Sequence, residues 1–202
     1  MNKNSKGNFS VQEVEKRALL KESDYKEILK KLDTLGAKLI KKVNINDIYF
    51  CPITVLSFAE IEMDHVNSYS LRLREQNSDY NKEVTLNVKL ITQEGDHSSW
   101  EEHEVVVGSF NTTTNILKSI GFKQFCTIKK SRLVYNFNDI EVSIEDIVDF
   151  GLGIEAEVKT STDQSAKAKA KIDELFEKLE INSDQIVEKS ITNIIMRKKS
   201  KF

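Results

Sequence analysis

Apolar and polar residues alternate through most of this chain, and a period of two is typical of β-strands that bury one face. Clusters of turn-forming residues interrupt the alternation and divide it into segments of strand length. The chain is therefore expected to consist mainly of β-sheet. The pattern predicts eight strands, at residues 9–20, 37–50, 68–76, 83–92, 100–107, 124–137, 141–145 and 154–159.

Four further segments carry apolar residues at helical spacing. The first helix is expected to begin at Ser23, which is a suitable N-cap, and to end at Gly36. Two others are predicted at residues 111–120 and 165–179, and a final helix ends near Arg197. Residues 53–64 are interpreted as a loop or short helix, and residues 93–99 as a loop.

Charged residues are sorted along the polar faces of the predicted strands. Glu13, Glu15 and Arg17 share one face of the first strand, because strand side chains alternate between faces. Cations recur at every second position in Arg72, Arg74, Lys89, Lys130 and Arg132. Carboxylates recur in pairs, as Glu13 with Glu15, Glu102 with Glu104, and Glu155 with Glu157.

These charged faces allow two interpretations. In an ordinary antiparallel sheet they face water, and charged residues also protect sheet edges from aggregation. If the sheet closes into a barrel, the same faces can point inward. A charged interior is too costly to leave dry and unpaired, so it would need water, a metal or a polyanionic ligand.

Composition narrows the possible partners. The 202 residues include 30 basic and 32 acidic ones, for a formal net charge of -2. No global field then attracts nucleic acid or a membrane, and neither is expected as a partner. Cys51 and Cys126 lie in apolar contexts and are expected to be buried thiols. The chain has no apolar run of membrane-spanning length and begins with polar residues, so we expect a cytoplasmic protein.

Six short motifs, in order along the chain, carry a resemblance to a known family. None of them is specific alone, but together they extend from Glu13 to Lys159. They are Glu13-x-Glu15-x-Arg17, Asp47-x-Tyr49-Phe50, Leu71-Arg72-x-Arg74, Leu86-Asn87-x-Lys89, Lys130-x-Arg132 and Glu155-x-Glu157. In these motifs the chain resembles the CYTH superfamily, the class IV adenylyl cyclases and thiamine triphosphatases that are also called triphosphate tunnel metalloenzymes.

The resemblance implies an α+β fold in which an antiparallel, eight-stranded closed barrel forms a tunnel with flanking helices. We expect a single domain over residues 1–202. It would comprise a mobile tail at residues 1–8, the strands and helices of the tunnel at residues 9–160, and C-terminal helices at residues 165–197. Two such tunnels can pair through their outer faces, which leaves a homodimer open.

The resemblance also implies roles for the charged residues. Arg17, Arg72, Arg74, Lys89, Lys130 and Arg132 would bind a triphosphate. Mg²⁺ or Mn²⁺ would be held by Glu13, Glu15, Glu145, Glu155 and Glu157. Glu102 and Glu104 are possible additional tunnel carboxylates, and Tyr49 and Lys89 are the candidates for activating a water molecule.

Three positions depart from the family pattern. Arg17 stands where lysine is usual, Asn87 where threonine is common, and Glu145 where aspartate is usual. Arginine keeps its charge and can clamp phosphate, but it is a poor proton acceptor. These departures affect the detailed mechanism more than the binding of a triphosphate.

Three functions remain open at this point. The leading prediction is an adenylyl cyclase that converts ATP to cyclic AMP and pyrophosphate, because the C-terminal helices resemble those of the cyclase members. The alternative is a triphosphatase that acts on tripolyphosphate, thiamine triphosphate or a nucleoside triphosphate. The second alternative is a protein that binds a triphosphate or polyphosphate without turnover.

Overall fold

The computed structural model of the chain describes residues 11–61, 65–95 and 100–199. The predicted tail at residues 1–8 lies outside these ranges, as do parts of both predicted loops. Among the described helices, none is both long and apolar enough to cross a lipid bilayer.

The predicted strands and helices are found, with a short ninth strand near the C-terminus. Four helices are α1 (Glu22–Thr34), α2 (Phe110–Ser119), α3 (Ser165–Lys178) and α4 (Ile191–Lys199). Within the described ranges the strands are β1 (Val11–Leu20), β2 (Lys38–Pro52), β3 (Tyr69–Ser78), β4 (Lys82–Ile91), β5 (Trp100–Val106), β6 (Phe122–Phe137), β7 (Ile140–Ile147), β8 (Gly151–Ser161) and β9 (Ile186–Val187).

The predicted cap of the first helix is wrong. Helix α1 starts at Glu22, two residues earlier than an N-cap at Ser23 predicts, and Lys21 occupies the N-cap position without a side-chain capping bond. The Ser23 hydroxyl donates instead to the Asp24 carboxylate at 2.8 Å, so it does not satisfy the first backbone N–H groups.

All strand pairings are antiparallel, in the order β5-β4-β3-β2-β6-β7-β8-β1-β9. In the described part of the chain this ladder is open, with β5 at one end and β9 at the other. The prediction of a closed, eight-stranded barrel is therefore not confirmed. The free edge of β1 is paired at Arg17 and Ala18 with the C-terminal strand β9 rather than with β5.

Side chains join the two ends of the sheet where the backbone does not. The Lys89 ammonium on β4 lies 3.3 Å from the Glu13 carboxylate on β1. Residues of β1 and β5 also lie close to one another. The sheet is thus curled until its ends meet, and its concave face encloses a space.

The main hydrophobic core lies on the convex face of the sheet. Helices α1 and α3 cover β1, β7 and β8 there, and the Lys16 ammonium contacts the Asp173 carboxylate of α3 at 2.5 Å. Helix α2 covers a smaller cluster through Leu117. Because the helices take the apolar sides of the strands, the polar sides are left facing the enclosed space.

One end of the enclosed space is covered by helix α4. Ile191, Ile195 and Met196 on this helix pack in a cluster with Tyr49 and other residues at that end of the sheet. Gly153 permits this approach, because a Cβ there would lie 2.7 Å from the Ile191 Cδ1 atom.

Candidate functional site

The concave face of the sheet forms a charged channel of two connected cavities. The inner cavity, of about 80 Å³, lies under helix α4, and the outer cavity, of about 260 Å³, lies away from it. Five residues line both cavities and define where they join: Arg72, Arg74, Lys89, Arg132 and Glu155.

The structure brings every predicted site residue to this channel. The alternation of strand side chains places them there, and the antiparallel register sets Arg17 opposite Glu155 and Glu15 opposite Glu157. Five predicted residues line the inner cavity alone: Glu15, Arg17, Tyr49, Lys130 and Glu145. Four others line the outer cavity alone: Glu13, Glu102, Glu104 and Glu157.

Asp47 belongs to the Asp47-x-Tyr49-Phe50 motif, but no role was predicted for it from the sequence. Its side chain is fully buried and accepts two hydrogen bonds from Arg74, 2.7 Å from Nε and 2.8 Å from Nη2. Burial opposes the ionised form of Asp47, yet Arg74 together with Arg72 and Lys130 holds its pKa well below the usual range. The sequence did contain a signal for this role, because Asp47 lies two residues before Tyr49 on the same strand and therefore shares its face.

Glu145 is held by two cations of the neighbouring strand. Its carboxylate lies 2.6 Å from the Lys130 ammonium and accepts a 2.7 Å hydrogen bond from Arg132 Nε. Burial would raise the pKa of Glu145, but Arg132 and Lys130 lower it to about 2. Glu145 is therefore an ionised partner of the cations, and its service as a metal ligand stays a prediction.

Arg72 is the cation whose guanidinium is least engaged by the described residues. Its Nε atom is buried and has no hydrogen-bond partner there, and its Nη2 atom lies 3.9 Å from the Glu102 carboxylate. A buried polar atom without a protein partner is uncommon in a native structure and is consistent with a site that binds a polar ligand. Arg72 is thus free to bind an anion with little rearrangement.

Three carboxylates converge at the other side of the channel. Oxygen atoms of Glu15, Glu155 and Glu157 all lie within 4.8 Å of one another. Arg17 forms ion pairs with both Glu15 and Glu155, the latter at 3.1 Å from Nε. Burial, together with the charges of Glu13, Glu155 and Glu141, raises the pKa of Glu157 to about 7.

This carboxylate group fits a divalent cation. Mg²⁺ and Mn²⁺ prefer oxygen ligands, and Mg²⁺ uses few protein carboxylates when a phosphate supplies further oxygens. Burial and the neighbouring carboxylates raise the pKa of Glu157, and a bound cation would offset both effects by favouring the ionised form. Glu13 lies beside the group but is held by Lys89 and by Lys159, at 3.3 and 3.1 Å.

The two remaining predicted carboxylates lie on β5 at the outer cavity. Glu102 is contacted by the Lys89 ammonium at 3.1 Å and accepts a hydrogen bond from Asn87. Glu104 is exposed at the outer cavity. Glu102 is therefore ion-paired with Lys89, one of the channel cations, whereas Glu104 lies at the exposed side of the outer cavity.

Tyr49 closes the inner end of the channel. Its side chain is 2% exposed, and burial with the charge of Asp47 raises the pKa of its hydroxyl. The hydroxyl is hydrogen-bonded to Thr192 of helix α4, which sequence reasoning did not place in the site. Lys89 lines the same cavity, so both candidates for water activation face one space.

Comparison with known proteins matches this architecture. The model of the CYTH domain family matches residues 11–191. A Methanocaldococcus jannaschii protein named as a candidate adenylate cyclase is 30% identical over 184 residues, covering 88% of this chain and 95% of that protein.

Solved structures share the fold at lower identity. A Pyrococcus horikoshii protein superposes with a TM-score of 0.77 at 20% identity, covering 92% of this chain and 99% of its own. A Hippeastrum structure, described as a candidate adenylyl cyclase with a dominant triphosphatase activity, gives a TM-score of 0.62 at 13% identity and covers 94% and 95%. At these identities the similarity concerns the fold.

Proposed function

The chain belongs to the CYTH domain family, and from this premise we propose that it is a divalent-metal-dependent enzyme that acts on a triphosphate. The observation that carries the proposal is the charged channel, where a row of cations faces a group of three carboxylates. A linear polyanion can lie along such a row while a metal ion bridges it to the carboxylates.

The cations would neutralise and orient the phosphate chain. Arg72 and Arg74 lie two residues apart on β3, about 7 Å along the strand, which suits contacts to successive phosphates. Their planar guanidinium groups bind phosphate oxygens in pairs and so fix the register of the chain. Lys130 and Arg132 on β6 would contact the triphosphate from the adjoining part of the sheet.

The carboxylates Glu15, Glu155 and Glu157 would hold Mg²⁺ or Mn²⁺. When bound, the ion supplies further neutralisation of the charge that develops on phosphate oxygens during phosphoryl or nucleotidyl transfer. Arg17 keeps Glu15 and Glu155 in place through its two ion pairs. It remains charged at any ordinary pH, so we assign it to binding and positioning rather than to proton transfer.

Within this class we favour an adenylyl cyclase. The name of the Methanocaldococcus jannaschii relative and the presence of the C-terminal helices α3 and α4, of which α4 covers the inner end of the channel, support this choice. The ribose 3′-hydroxyl of ATP would attack the α-phosphorus, so that the bond to the β-phosphate oxygen breaks and pyrophosphate leaves. The proton of the hydroxyl would pass to a base or to solvent.

A triphosphatase is the second candidate. In this reaction water attacks the terminal phosphorus, and orthophosphate leaves with the diphosphate remaining. Tyr49 and Lys89 favour it, because both line the inner cavity where a water could be oriented between them and the phosphate chain. A protein that binds triphosphate without turnover is the third candidate. It is favoured by the two departures from the family pattern, Arg17 and Glu145, which are held in ion pairs with Glu15 and Lys130 respectively.

Product analysis separates these candidates. The purified protein would be incubated with Mg²⁺ or Mn²⁺ and, separately, with ATP, tripolyphosphate and thiamine triphosphate. Cyclic AMP with pyrophosphate from ATP is the expected result, and chelation of the metal should abolish it. Orthophosphate release without cyclic AMP would instead identify a triphosphatase. Saturable binding without any product would identify the third candidate, and absence of binding to all three would overturn the proposal.

The ionisation of Lys130 predicts that triphosphate affinity depends on pH. Burial lowers its pKa to about 8, with Glu145 opposing this effect and Arg132 and Arg74 adding to it. A bound polyanion favours the charged form, so triphosphate affinity should be highest below pH 8 and fall by up to about tenfold per pH unit above it.

Calorimetric titration of tripolyphosphate between pH 7 and pH 9.5 measures this effect. Lys130→Met should bind more weakly at pH 7 and should lack this component of the pH dependence. The same slope above pH 8 in the wild-type protein and in Lys130→Met would assign the titration to another group.

A further inference from the structure

Arg17 is buried within the group of carboxylates that would hold the metal. Its side chain is 3% exposed, and its Nε atom donates to the Glu155 carboxylate at 3.1 Å. Its Nη2 atom forms an ion pair with the Glu15 carboxylate. Glu15 and Glu155 are two of the three residues whose oxygen atoms converge, with Glu157 as the third. The guanidinium therefore neutralises two of the three proposed metal ligands.

Backbone pairing holds Arg17 in this position. In the register between β1 and β8 it lies opposite Glu155, and on its other side it pairs with Val187 of β9. Glu15 lies two residues earlier on the same strand, so its side chain emerges on the same face as that of Arg17. Because the strand is paired at both edges here, the guanidinium can leave the carboxylates only by rotation of its own side chain.

The charge of Arg17 opposes a metal ion at the same carboxylates. Arginine remains protonated at any ordinary pH, and its planar guanidinium can hold two carboxylates through separate nitrogens. Like charges a few ångströms apart repel strongly in a buried site, where salt and water screen them little. A lysine, which the family pattern has at this position, carries a single ammonium on a flexible stem and can turn away more readily.

A triphosphate changes this balance. Arg17 lines the inner cavity of the channel, where the phosphate chain is proposed to lie. Phosphate oxygens can accept the same paired hydrogen bonds from a guanidinium that carboxylate oxygens accept. Their negative charge also offsets the repulsion between Arg17 and a cation. Transfer of the guanidinium to the phosphates releases Glu15 and Glu155 as metal ligands.

We propose that Arg17 makes metal binding conditional on the triphosphate. Without a triphosphate its guanidinium opposes a divalent cation at the three carboxylates, and a bound triphosphate removes this opposition. The metal and the triphosphate then bind with positive coupling, which is reciprocal by linkage. This inference rests on the proposed function and adds to it the regulation of the metal site.

Binding of Mn²⁺ in the absence of any triphosphate gives the direct test, and electron paramagnetic resonance of the unbound ion measures it without reference to turnover. Arg17→Lys should bind Mn²⁺ about 10-fold more tightly than the wild-type protein, and Arg17→Met about 100-fold more tightly, within the usual range of coupling between sites. Arg17→Lys keeps the positive charge, so it carries the test if Arg17→Met does not fold.

Lys130→Met is the matched control for these variants. It removes one positive charge from the same cavity, but from a cation that is paired with Glu145. Its affinity for Mn²⁺ should change far less than that of Arg17→Met. Circular dichroism and chemical denaturation establish that each variant is folded.

Tripolyphosphate measures the same coupling from the other side. For each protein, calorimetric affinities for tripolyphosphate in excess Mn²⁺ and in excess chelator are expressed as a ratio. Comparison of this ratio between the wild-type protein and Arg17→Lys cancels the complex that Mn²⁺ and tripolyphosphate form in solution. The ratio should be about 10-fold larger in the wild-type protein.

Two results would overturn the inference while leaving the proposed function intact. One is equal affinity for Mn²⁺ in the wild-type protein and both Arg17 variants. The other is a gain in Lys130→Met as large as that in Arg17→Met, since the effect would then belong to the charge of the whole cavity. Failure of the proposed function looks different, because the wild-type protein would then bind no tripolyphosphate with or without Mn²⁺, and the inference would fail with it.

Discussion

Replacement of Asp47 by asparagine is expected to lower the free energy of unfolding by about 3 kcal/mol. This is the usual cost of removing one partner of a buried ion pair while the other stays charged. Asp47 is fully buried and binds both Nε and Nη2 of Arg74. An asparagine removes the compensating charge and leaves the guanidinium of Arg74 desolvated. Chemical denaturation of the wild-type protein and Asp47→Asn measures the difference.

The same substitution should also reduce turnover of a triphosphate. With two of its nitrogens held by Asp47, Arg74 presents its remaining donors to the channel in a fixed orientation. Loss of that orientation is expected to reduce kcat/KM by about 10- to 100-fold, the range that follows from a misplacement of about 1 Å. Asp47→Glu retains the charge on a longer side chain and should recover stability better than activity.

A double variant separates the contribution to stability from that to function. Asp47→Leu combined with Arg74→Met replaces the ion pair by apolar side chains and should restore most of the lost stability. It should remain inactive, because Arg74 is gone. If Asp47→Asn alone were as stable and as active as the wild-type protein, the assignment of Asp47 as the positioning residue of Arg74 would be wrong.

The protonation of Asp47 gives an independent check. Its pKa in the folded protein is depressed below the ordinary value of 3.8, so its contribution to stability is present above that pH. The contribution is lost as the pH falls towards the folded pKa. Asp47→Asn should therefore lose less stability than the wild-type protein between pH 4 and pH 2.

The faces of the strands could be predicted from the sequence because strand geometry leaves little freedom. Glu13, Glu15 and Arg17 must share a face in any strand, and the apolar residues between them must take the other. That rule was enough to bring the predicted charged residues of seven strands into one channel. It also placed the apolar faces under helices α1 and α3, although it did not say which side was convex.

Contacts between distant segments could not be predicted in the same way. Whether β1 pairs with β5 or with β9 depends on where the C-terminal segment packs against the sheet, and strand periodicity does not predict that position. The partner of Asp47 depends on the register between β2 and β3, which sets Asp47 opposite Arg74. A further cavity of about 330 Å³ beside the channel lies where α4 meets β2, β3 and β6, so no single segment of the sequence could predict it.

Replacement of Arg72 by alanine should leave the fold intact and reduce triphosphate affinity by about 100-fold or more. In the described structure Arg72 makes one long ion pair, and its buried Nε atom has no partner, so its removal costs the folded protein little. Two charge-assisted hydrogen bonds to phosphate contribute roughly 3 kcal/mol or more, which corresponds to this loss.

Replacement of Arg72 should therefore reduce triphosphate affinity much more than stability, whereas replacement of Arg74 should reduce both. Arg74 carries a structural ion pair in addition to its proposed binding role, whereas the proposed role of Arg72 is mainly to bind the ligand. Arg72→Lys keeps the charge without the bidentate geometry and should recover only part of the affinity. Arg197→Ala, on the exposed face of α4, serves as the control and should bind tripolyphosphate as the wild-type protein does. Normal affinity in Arg72→Ala, measured by calorimetry, would exclude the charged channel as the triphosphate site.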